Sequence, residues 1–343
     1  MDADTSTDHY TIRSPFAHTG LLCTKNVAED LQRLASPYLP LQPGPSDPGT
    51  WRVASHATPP DGAVAESVTA LGEVAVDYAV DHTERTLFHL APRGDAWVTQ
   101  SLLRATRAIH RSAASRRGVL FLHAGLVELN GLGVALVGGS RAGKTSFIMA
   151  SVLNGSGVMV CNDDVSLTVD PVAGPVTGTG WPRSISVRLD TLDLLFGPER
   201  ARSVVTSLSH PANETLPSLR ASGIEQHGTA LIYPWEYADL LGTEIGRSLT
   251  VDAIVHLSLA DEPTDTGFSP VPPTGRGALL DRAVLPLPNK HLNIFGHEPD
   301  PAGLLRTHTA LTALPTFRFR YSFRDVRHEV DRLADLLRDQ LSP

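Results

Sequence analysis

The sequence predicts an α/β fold, with a smaller mixed or mainly β module ahead of it. Three observations lead there. An apolar run, Val134–Val137, passes through a glycine-rich turn into a helix-forming stretch, Ser146–Leu153. A second apolar run, Val158–Cys161, follows at once and ends on Asn162-Asp163-Asp164. Near the C-terminus an alternating segment, Pro315–Tyr321, precedes an amphipathic one, Phe323–Leu341. Short apolar strands interleaved with helical periodicity are the pattern of a sheet covered by helices.

The elements follow in order. In the first hundred residues, Val27–Leu34 has helix character, and Pro37–Pro48 is rich in proline and reads as a surface loop. Thr69–Val80 and Thr86–Leu90 carry strand patches, with a hairpin turn expected at Asp81–Glu84. Trp97–Ala114 is periodic at helical spacing: Val98, Leu102, Leu103, Ala105 and Ile109 share a face, and Arg104, Arg107 and Arg111 are expected to be exposed. With Arg116 and Arg117 these arginines form a basic cluster, read first as a solvated helix face and second as a site for an anionic partner. The module boundary is therefore expected near residue 97, with residues 98–343 as the second domain.

From Gly118 short strands succeed one another: Val119–Leu122, Leu126–Leu129 and Val134–Val137, the last two joined by the turn signal Asn130-Gly131. The helix after the glycine-rich turn stops near Asn154–Gly157, and strands follow at Val158–Cys161 and Val165–Val169. Pro171–Gly180 reads as a loop, Ile185–Leu195 mixes strand and helix signals, His210–Gly228 is polar and irregular, and Val251–Leu259 is a strand. Val326, Val330, Leu333, Leu336, Leu337 and Leu341 mark one face of the last helix.

The turn itself reads Gly138-Gly-Ser-Arg-Ala-Gly-Lys-Thr145, a match to G-x-x-x-x-G-K-[ST]. Glycines let the backbone N–H groups close around phosphate oxygens, and the following helix N-terminus adds donors and a favourable dipole. Gly138, Gly139, Ser140, Arg141, Ala142, Gly143, Lys144, Thr145 and Ser146 are the expected nucleotide-binding residues. Lys144 neutralises phosphate charge and the Thr145 hydroxyl is a Mg²⁺ ligand candidate. The alternative reading is a glycine-rich turn with a solvent-facing lysine; the apolar strand before it and the helix after it favour the phosphate cradle. Asp163-Asp164, at the end of a strand, suits Mg²⁺ binding or acceptance of a hydroxyl proton; it also reads as a plain Asn-Asp-Asp turn. His123 taken alone reads first as a structural histidine bonding to backbone.

The chain has 343 residues, 41% hydrophobic and 19% charged, with a net charge of −8. That charge disfavours general nucleic-acid binding. The two cysteines, Cys23 and Cys161, make no disulfide framework, and neither has zinc-ligand spacing around it. The N-terminal residues lack the basic and apolar parts of a signal peptide, and no apolar run has membrane-spanning length. A cytoplasmic protein that binds neither membrane nor nucleic acid is expected. Oligomeric state is open, with a homo-oligomer as one possibility.

The order His123-Ala-Gly125, strand, Asn-Gly turn, strand, glycine-rich loop, helix, strand, Asp163-Asp164 resembles the kinase domain of HPr kinase/phosphorylase. The residues that carry the resemblance are LHAGLVELNGLGVALVGGSRAGKTS and VMVCNDDVSL, within Leu120–Leu167. A weaker match runs through Gly180–Arg183 and Ser186–Arg188. The resemblance implies a P-loop kinase core close to that of phosphoenolpyruvate carboxykinase, and ATP- and Mg²⁺-dependent phosphoryl transfer to a hydroxyl. It implies Lys144 and Thr145 at the triphosphate, Asp163 as base, Asp164 at or near the metal and His123 beside the phosphoryl site. Three features depart from it: Arg141 stands where glycine is usual, the glutamate-containing signature is missing around Gly178–Arg188, and the first hundred residues do not match. These point away from HPr as substrate and toward related kinases of secondary metabolism, including those that phosphorylate a serine of a ribosomal peptide precursor.

A peptide or protein acceptor is thus the first expectation and a small hydroxylated metabolite the second. A nucleotide-dependent regulator without transfer is a third reading. A motor or transport ATPase is weaker, because no LSGGQ-like signature is present. Arg183, Arg188, Arg276 and Lys290 are candidates for a further phosphate-facing cation, and Ser269–Pro288 for a lid or substrate loop, or else a plain connector.

Overall fold

The computed structural model describes residues 7–55, 57–68, 76–90, 95–170, 174–213, 228–289, 292, 294–296 and 298–341. The chain forms a mixed α/β structure of two compact units. The first holds 1–117 with 210–214 and 287–300; the second holds 118–209, 215–286 and 301–343.

The first unit contains β1 (Thr7–Arg13), β2 (His18–Thr24), α1 (Lys25–Ala35), β3 (Leu41–Pro43), β4 (Arg52–Ser55), β5 (Val64–Val68), β6 (Val76–Asp81), β7 (Thr86–Leu90) and α2 (Asp95–Ser115). Its sheet runs β3-β1-β2-β4-β7-β6-β5. The pairs β2/β4 and β4/β7 are parallel and the others antiparallel. The strand expected over Thr69–Val80 is seen from Val76; residues 69–75 lie outside the described residues. The expected turn at Asp81–Glu84 joins β6 to β7.

The helix α2 falls with the first compact unit, which runs to Arg117. Its arginines depart from the expectation that they face solvent. Arg104 and Arg107 are half-buried and Arg111 is buried, donating through Nε to the Pro288 carbonyl. Segment 287–300 belongs to this unit and covers the face of α2 that the periodicity assigned to solvent. A long arginine can lie buried along its stem when its guanidinium finds a carbonyl.

The second unit begins with β8 (Leu120–Leu122), β9 (Ala124–Leu129), β10 (Leu132–Val137), α3 (Lys144–Leu153), β11 (Gly157–Cys161), β12 (Val165–Val169) and β13 (Val176–Thr179). It continues with β14 (Ile185–Arg188), α4 (Leu189–Phe196), α5 (Pro198–Ser207), β15 (Thr229–Ile232), α6 (Pro234–Leu241), β16 (Ser248–Thr250) and β17 (Ala253–Leu259). It ends with β18 (Gly267–Pro270), α7 (Pro273–Asp281), α8 (Pro301–Ala313), β19 (Thr316–Tyr321) and α9 (Val326–Leu341).

The central sheet has the order β11-β9-β10-β17-β19-β18. Its middle strands β10, β17 and β19 are parallel. Strands buried on both faces read as continuous apolar runs, which is why Val134–Val137 carries no alternation. Asn130 (φ 50°) and Gly131 (φ 86°) both adopt left-handed conformations, the two-residue turn that matches strand twist. One face packs α3 and α9 around Phe147, Val134, Leu136, Phe319, Val330 and Leu337. The other meets the smaller sheet β16-β13-β12-β8 and α7 and α8, around Val137, Ala135, Leu167, Leu280 and Leu311. On α9, Val326, Val330, Leu333 and Leu337 are buried, with Leu336 and Leu341 at the rim of the core.

Pro171–Gly180 contains a strand, β13, rather than only a loop; residues 171–173 lie outside the described residues. Ser269–Pro288 is not a bare connector, because α7 occupies its centre and buries Leu280. Of the stretch expected to be irregular, 214–227 lies outside the described residues. No helix among the described residues is long and apolar enough to cross a membrane. Cys23 and Cys161 are buried free thiols.

Candidate functional site

The loop Gly138–Gly143 links the C-terminal end of β10 to α3. Two of its glycines have a steric reason. A Cβ on Gly138 would stand 2.7 Å from the Ala142 Cβ and 2.8 Å from the Leu257 carbonyl oxygen. Gly143 has φ +82°, and a Cβ there would lie 2.0 Å from the Tyr321 hydroxyl. That hydroxyl donates to the Gly143 carbonyl at 3.0 Å and ties the loop to β19. Arg141, the departure from glycine noted above, keeps the backbone a glycine would take, with φ +66°. Gly139, Ser140 and Arg141 are exposed, and no atom lies within 4 Å of a Cβ built on Gly139. Gly143 caps α3 with no side-chain hydrogen bond, so the cap residue itself leaves the first-turn amides unanswered.

Lys144 is only 7% exposed. Its Nζ donates to the Gly138 carbonyl at 3.0 Å and stands 3.3 Å from His123 Nε2. Burial pushes its pKa below the ordinary lysine value, and the negative charge of Asp163 opposes that shift. The Thr145 hydroxyl has no hydrogen bond among the described residues. Ser146 turns inward: its hydroxyl bonds the Thr191 hydroxyl at 2.8 Å, so its side chain is engaged with α4.

His123 sits at the one-residue break between β8 and β9. Its backbone N–H donates to the Ala283 carbonyl at 2.8 Å. Its ring Nδ1 lies 3.2 Å from Asp163 Oδ1. A carboxylate at Nδ1 and an ammonium at Nε2 fit one tautomer, in which Nδ1–H donates to Asp163 and Nε2 accepts from Lys144. Antiparallel pairing of β11 with β9 brings Asp163 to this place, and a register shift between Met159 and Cys161 accompanies it. Arg183 closes the far side: its Nη1 is 3.5 Å from Asp163 Oδ2 and 3.9 Å from Asp164 Oδ2. Asn162 Oδ1 is buried without a hydrogen bond, at the root of the pair.

Of the other cations considered, Arg188 is held by Asp190, with Nη2 to Oδ2 at 2.7 Å and Nε to Oδ2 at 3.0 Å. Arg276 is a correction. Its guanidinium donates to the carbonyls of Val271 (3.2 Å), Ala313 (3.0 Å) and Leu314 (2.8 Å), a structural use that caps the end of α8. Lys290 lies outside the described residues. Sequence reasoning missed Tyr321 and Thr191. Tyr321 lies in an alternating strand where position signals burial only, and Thr191 lies in a stretch of mixed signals.

The donor set also bears on a metal. Among the described residues no group of three or more His, Cys, Asp or Glu side chains is placed to hold an ion by itself. Magnesium rarely uses such cages. It takes one or two carboxylates, a hydroxyl, waters and substrate phosphates, and Asp163, Asp164 and Thr145 fit that demand.

No family model matches the chain, and no curated protein matches it. Among solved structures the chain is similar to the Hpr(Ser) kinase/phosphatase from Coxiella burnetii, at 11% identity, over 65% of this chain and 99% of that one, with a TM-score of 0.32. At this overlap the similarity decides neither fold nor chemistry, and both rest on the residues described above.

Proposed function

We propose that this chain is an ATP- and Mg²⁺-dependent phosphotransferase that phosphorylates a hydroxyl, first of all a serine of a peptide or protein acceptor. The observation that carries the reading is the chain of contacts from Lys144 Nζ through His123 to Asp163, 3.3 Å and 3.2 Å. It joins a phosphate-type lysine to a carboxylate of the kind that accepts a hydroxyl proton. The open loop from Gly139 to Arg141 and the uncapped start of α3 suit β- and γ-phosphates.

In this reading the backbone N–H groups of the loop and Lys144 bind the phosphates. Asp163 aims the acceptor hydroxyl and takes its proton. The hydroxyl oxygen bonds to the γ-phosphorus while the bond to the β–γ bridging oxygen breaks, and ADP leaves. His123 holds Lys144 and Asp163 at a fixed separation, so that positioning and charge do the work. A bound magnesium ion would supply neutralisation of the phosphate oxygens, with Thr145 and Asp164 as its protein ligands. Arg183, beside both aspartates, would face the transferring group in this reading.

Intact-mass spectrometry of peptides, serine and other hydroxylated metabolites after incubation with protein, ATP and Mg²⁺ tests this. A gain of one phosphate that disappears in Lys144→Ala and in Asp163→Asn supports it. Tight ATP binding with no gain on any acceptor would favour the nucleotide-dependent regulator.

A further inference from the structure

One row of the central sheet crosses four strands through Ala124, Val137, His256 and Arg318. Paired residues of adjacent strands project from the same face. Val137 is the last residue before the loop and Ala124 follows His123, so His256 stands one strand from the loop and Arg318 two. Arg282 comes to the same region from the end of α7: it precedes Ala283, whose carbonyl accepts the His123 N–H.

One of these groups has an unmet need, and the two arginines beside it are available to a ligand. His256 Nε2 is buried and makes no hydrogen bond. Arg282 and Arg318 are exposed, and neither has an ion pair or hydrogen bond among the described residues. Both lie close enough to His256 to depress its pKa, after burial, to about 4. The carboxylate next in sequence, Asp281, is engaged with His308 at 2.8 Å. Two guanidinium groups and an imidazole therefore gather with no carboxylate paired to them among the described residues. A buried polar atom without a partner is costly in a native fold and points to an absent one.

We propose that His256, Arg282 and Arg318 form an anion subsite that takes a carboxylate or phosphate group of the acceptor, next to the phosphoryl-transfer position. The assignment to the acceptor rests on the kinase reading. Its geometry separates it from the nucleotide. Helix α3, whose start meets the phosphates in that reading, packs on the face of Val134 and Leu136, whereas Val137 belongs to the opposite face. His256 shares the Val137 face. An acceptor held there approaches the loop from the side away from α3. Arginine is suited to this because its planar fork binds such oxygens in pairs. The acceptor class is then an anionic molecule, a peptide with an acidic residue or free C-terminus near the hydroxyl, rather than a neutral sugar or alcohol.

The test is equilibrium dialysis of radiolabelled inorganic phosphate against the full chain, alone and saturated with a non-hydrolysable ATP analogue and Mg²⁺. Saturable phosphate binding to the analogue-loaded protein is expected, weakened at least about tenfold in the Arg282→Gln/Arg318→Gln double variant. His256→Gln should weaken it as well, and circular dichroism checks that each variant is folded. Binding that the analogue abolishes would mean that the subsite serves the nucleotide, and binding indifferent to all three substitutions would mean that there is no subsite; either overturns the proposal. Failure of the analogue to bind would count against the kinase reading instead. Phosphate binding without analogue, compared between wild type and the double variant, would then still decide whether the anion subsite exists.

Discussion

The imidazole of His123 meets the carboxylate of Asp163 at 3.2 Å through Nδ1, while its other nitrogen faces Lys144 at 3.3 Å. One ring thus spans the two charged groups on which the proposed chemistry depends. The break between β8 and β9 fixes its backbone, and the fold of β11 against β9 fixes its partner. His123→Gln should leave ATP binding within a fewfold of wild type. It should lower the turnover number about a hundredfold, the order expected when reacting groups shift by an ångström. Separate measurement of nucleotide affinity and of the turnover number at saturation checks this. Loss of both in parallel would show that the ring serves only to hold the loop.

Gly143 and Tyr321 should be energetically coupled. Gly143→Ala places a Cβ 2.0 Å from the Tyr321 hydroxyl and puts alanine at φ +82°. We expect a loss of about 2–4 kcal/mol, roughly 1–2 from the left-handed backbone and the rest from overlap. Tyr321→Phe alone forfeits the 3.0 Å hydrogen bond to Gly143, about 1 kcal/mol. Combined, the two changes should cost less than their sum, because phenylalanine removes the atom the new methyl strikes. Urea unfolding of the four proteins provides the cycle; strict additivity would contradict the packing described.

Arg183 and Arg276 were equal candidates in the sequence, and the structure separates them. Arg276→Gln should cost about 1–3 kcal/mol of stability, since it removes donors from three carbonyls, and should spare nucleotide binding. Arg183→Gln is expected to change stability by less than about 1 kcal/mol, because its contacts to Asp163 and Asp164 are long and half-exposed. It should reduce transfer instead. Thermal denaturation alongside a transfer assay distinguishes the two, and the reverse pattern would exchange their roles.

Acid should weaken the fold through His110. Burial, reinforced by the nearby His18, lowers its pKa to about 3, from an unfolded value near 6.5. The unfolded chain binds the proton more readily, so this contribution is complete above about pH 6.5 and is lost as the pH falls toward 3. By pH 5 the loss is about 2 kcal/mol. The ring accepts or donates at 2.7 Å to Ser14 through Nδ1, and its Nε2 is buried without a partner. His110→Asn should therefore flatten the dependence of the unfolding free energy between pH 7 and pH 5 by about that amount. An unchanged slope would place the acid sensitivity elsewhere.

Much of the site was legible because local chemistry dictates it. The strand, the glycine-rich loop and the helix after it are contiguous and form one local motif, and the aspartate pair follows from the strand that ends on it. The atoms that exclude a Cβ at Gly138 and Gly143 include Leu257 and Tyr321, far along the chain. His123 was not legible by itself; its partners lie 21 and 40 positions away in sequence, and only the pairing of β9 with β10 and with β11 brings them to it. The same limit explains the errors. A helical period predicts that Arg111 faces outward, yet a distant segment covers it. No local rule separates Arg183, which meets two aspartates, from Arg276, which caps a helix end. In the first unit the helices α1 and α2 and the β6–β7 hairpin were legible, but the sheet order β2-β4-β7 was not, because it depends on parallel pairings that no turn signal marks.

The most direct measurement compares Mg·ATP binding and phosphate transfer in wild type, Lys144→Ala and Asp163→Asn, each in a single sample read by calorimetry and then by intact mass. We expect wild type to bind and transfer, Lys144→Ala to lose most of both, and Asp163→Asn to bind ATP while transferring at least about a hundredfold more slowly. Transfer that survives Asp163→Asn at the wild-type rate would contradict a phosphoryl-transfer site built from Lys144, His123 and Asp163.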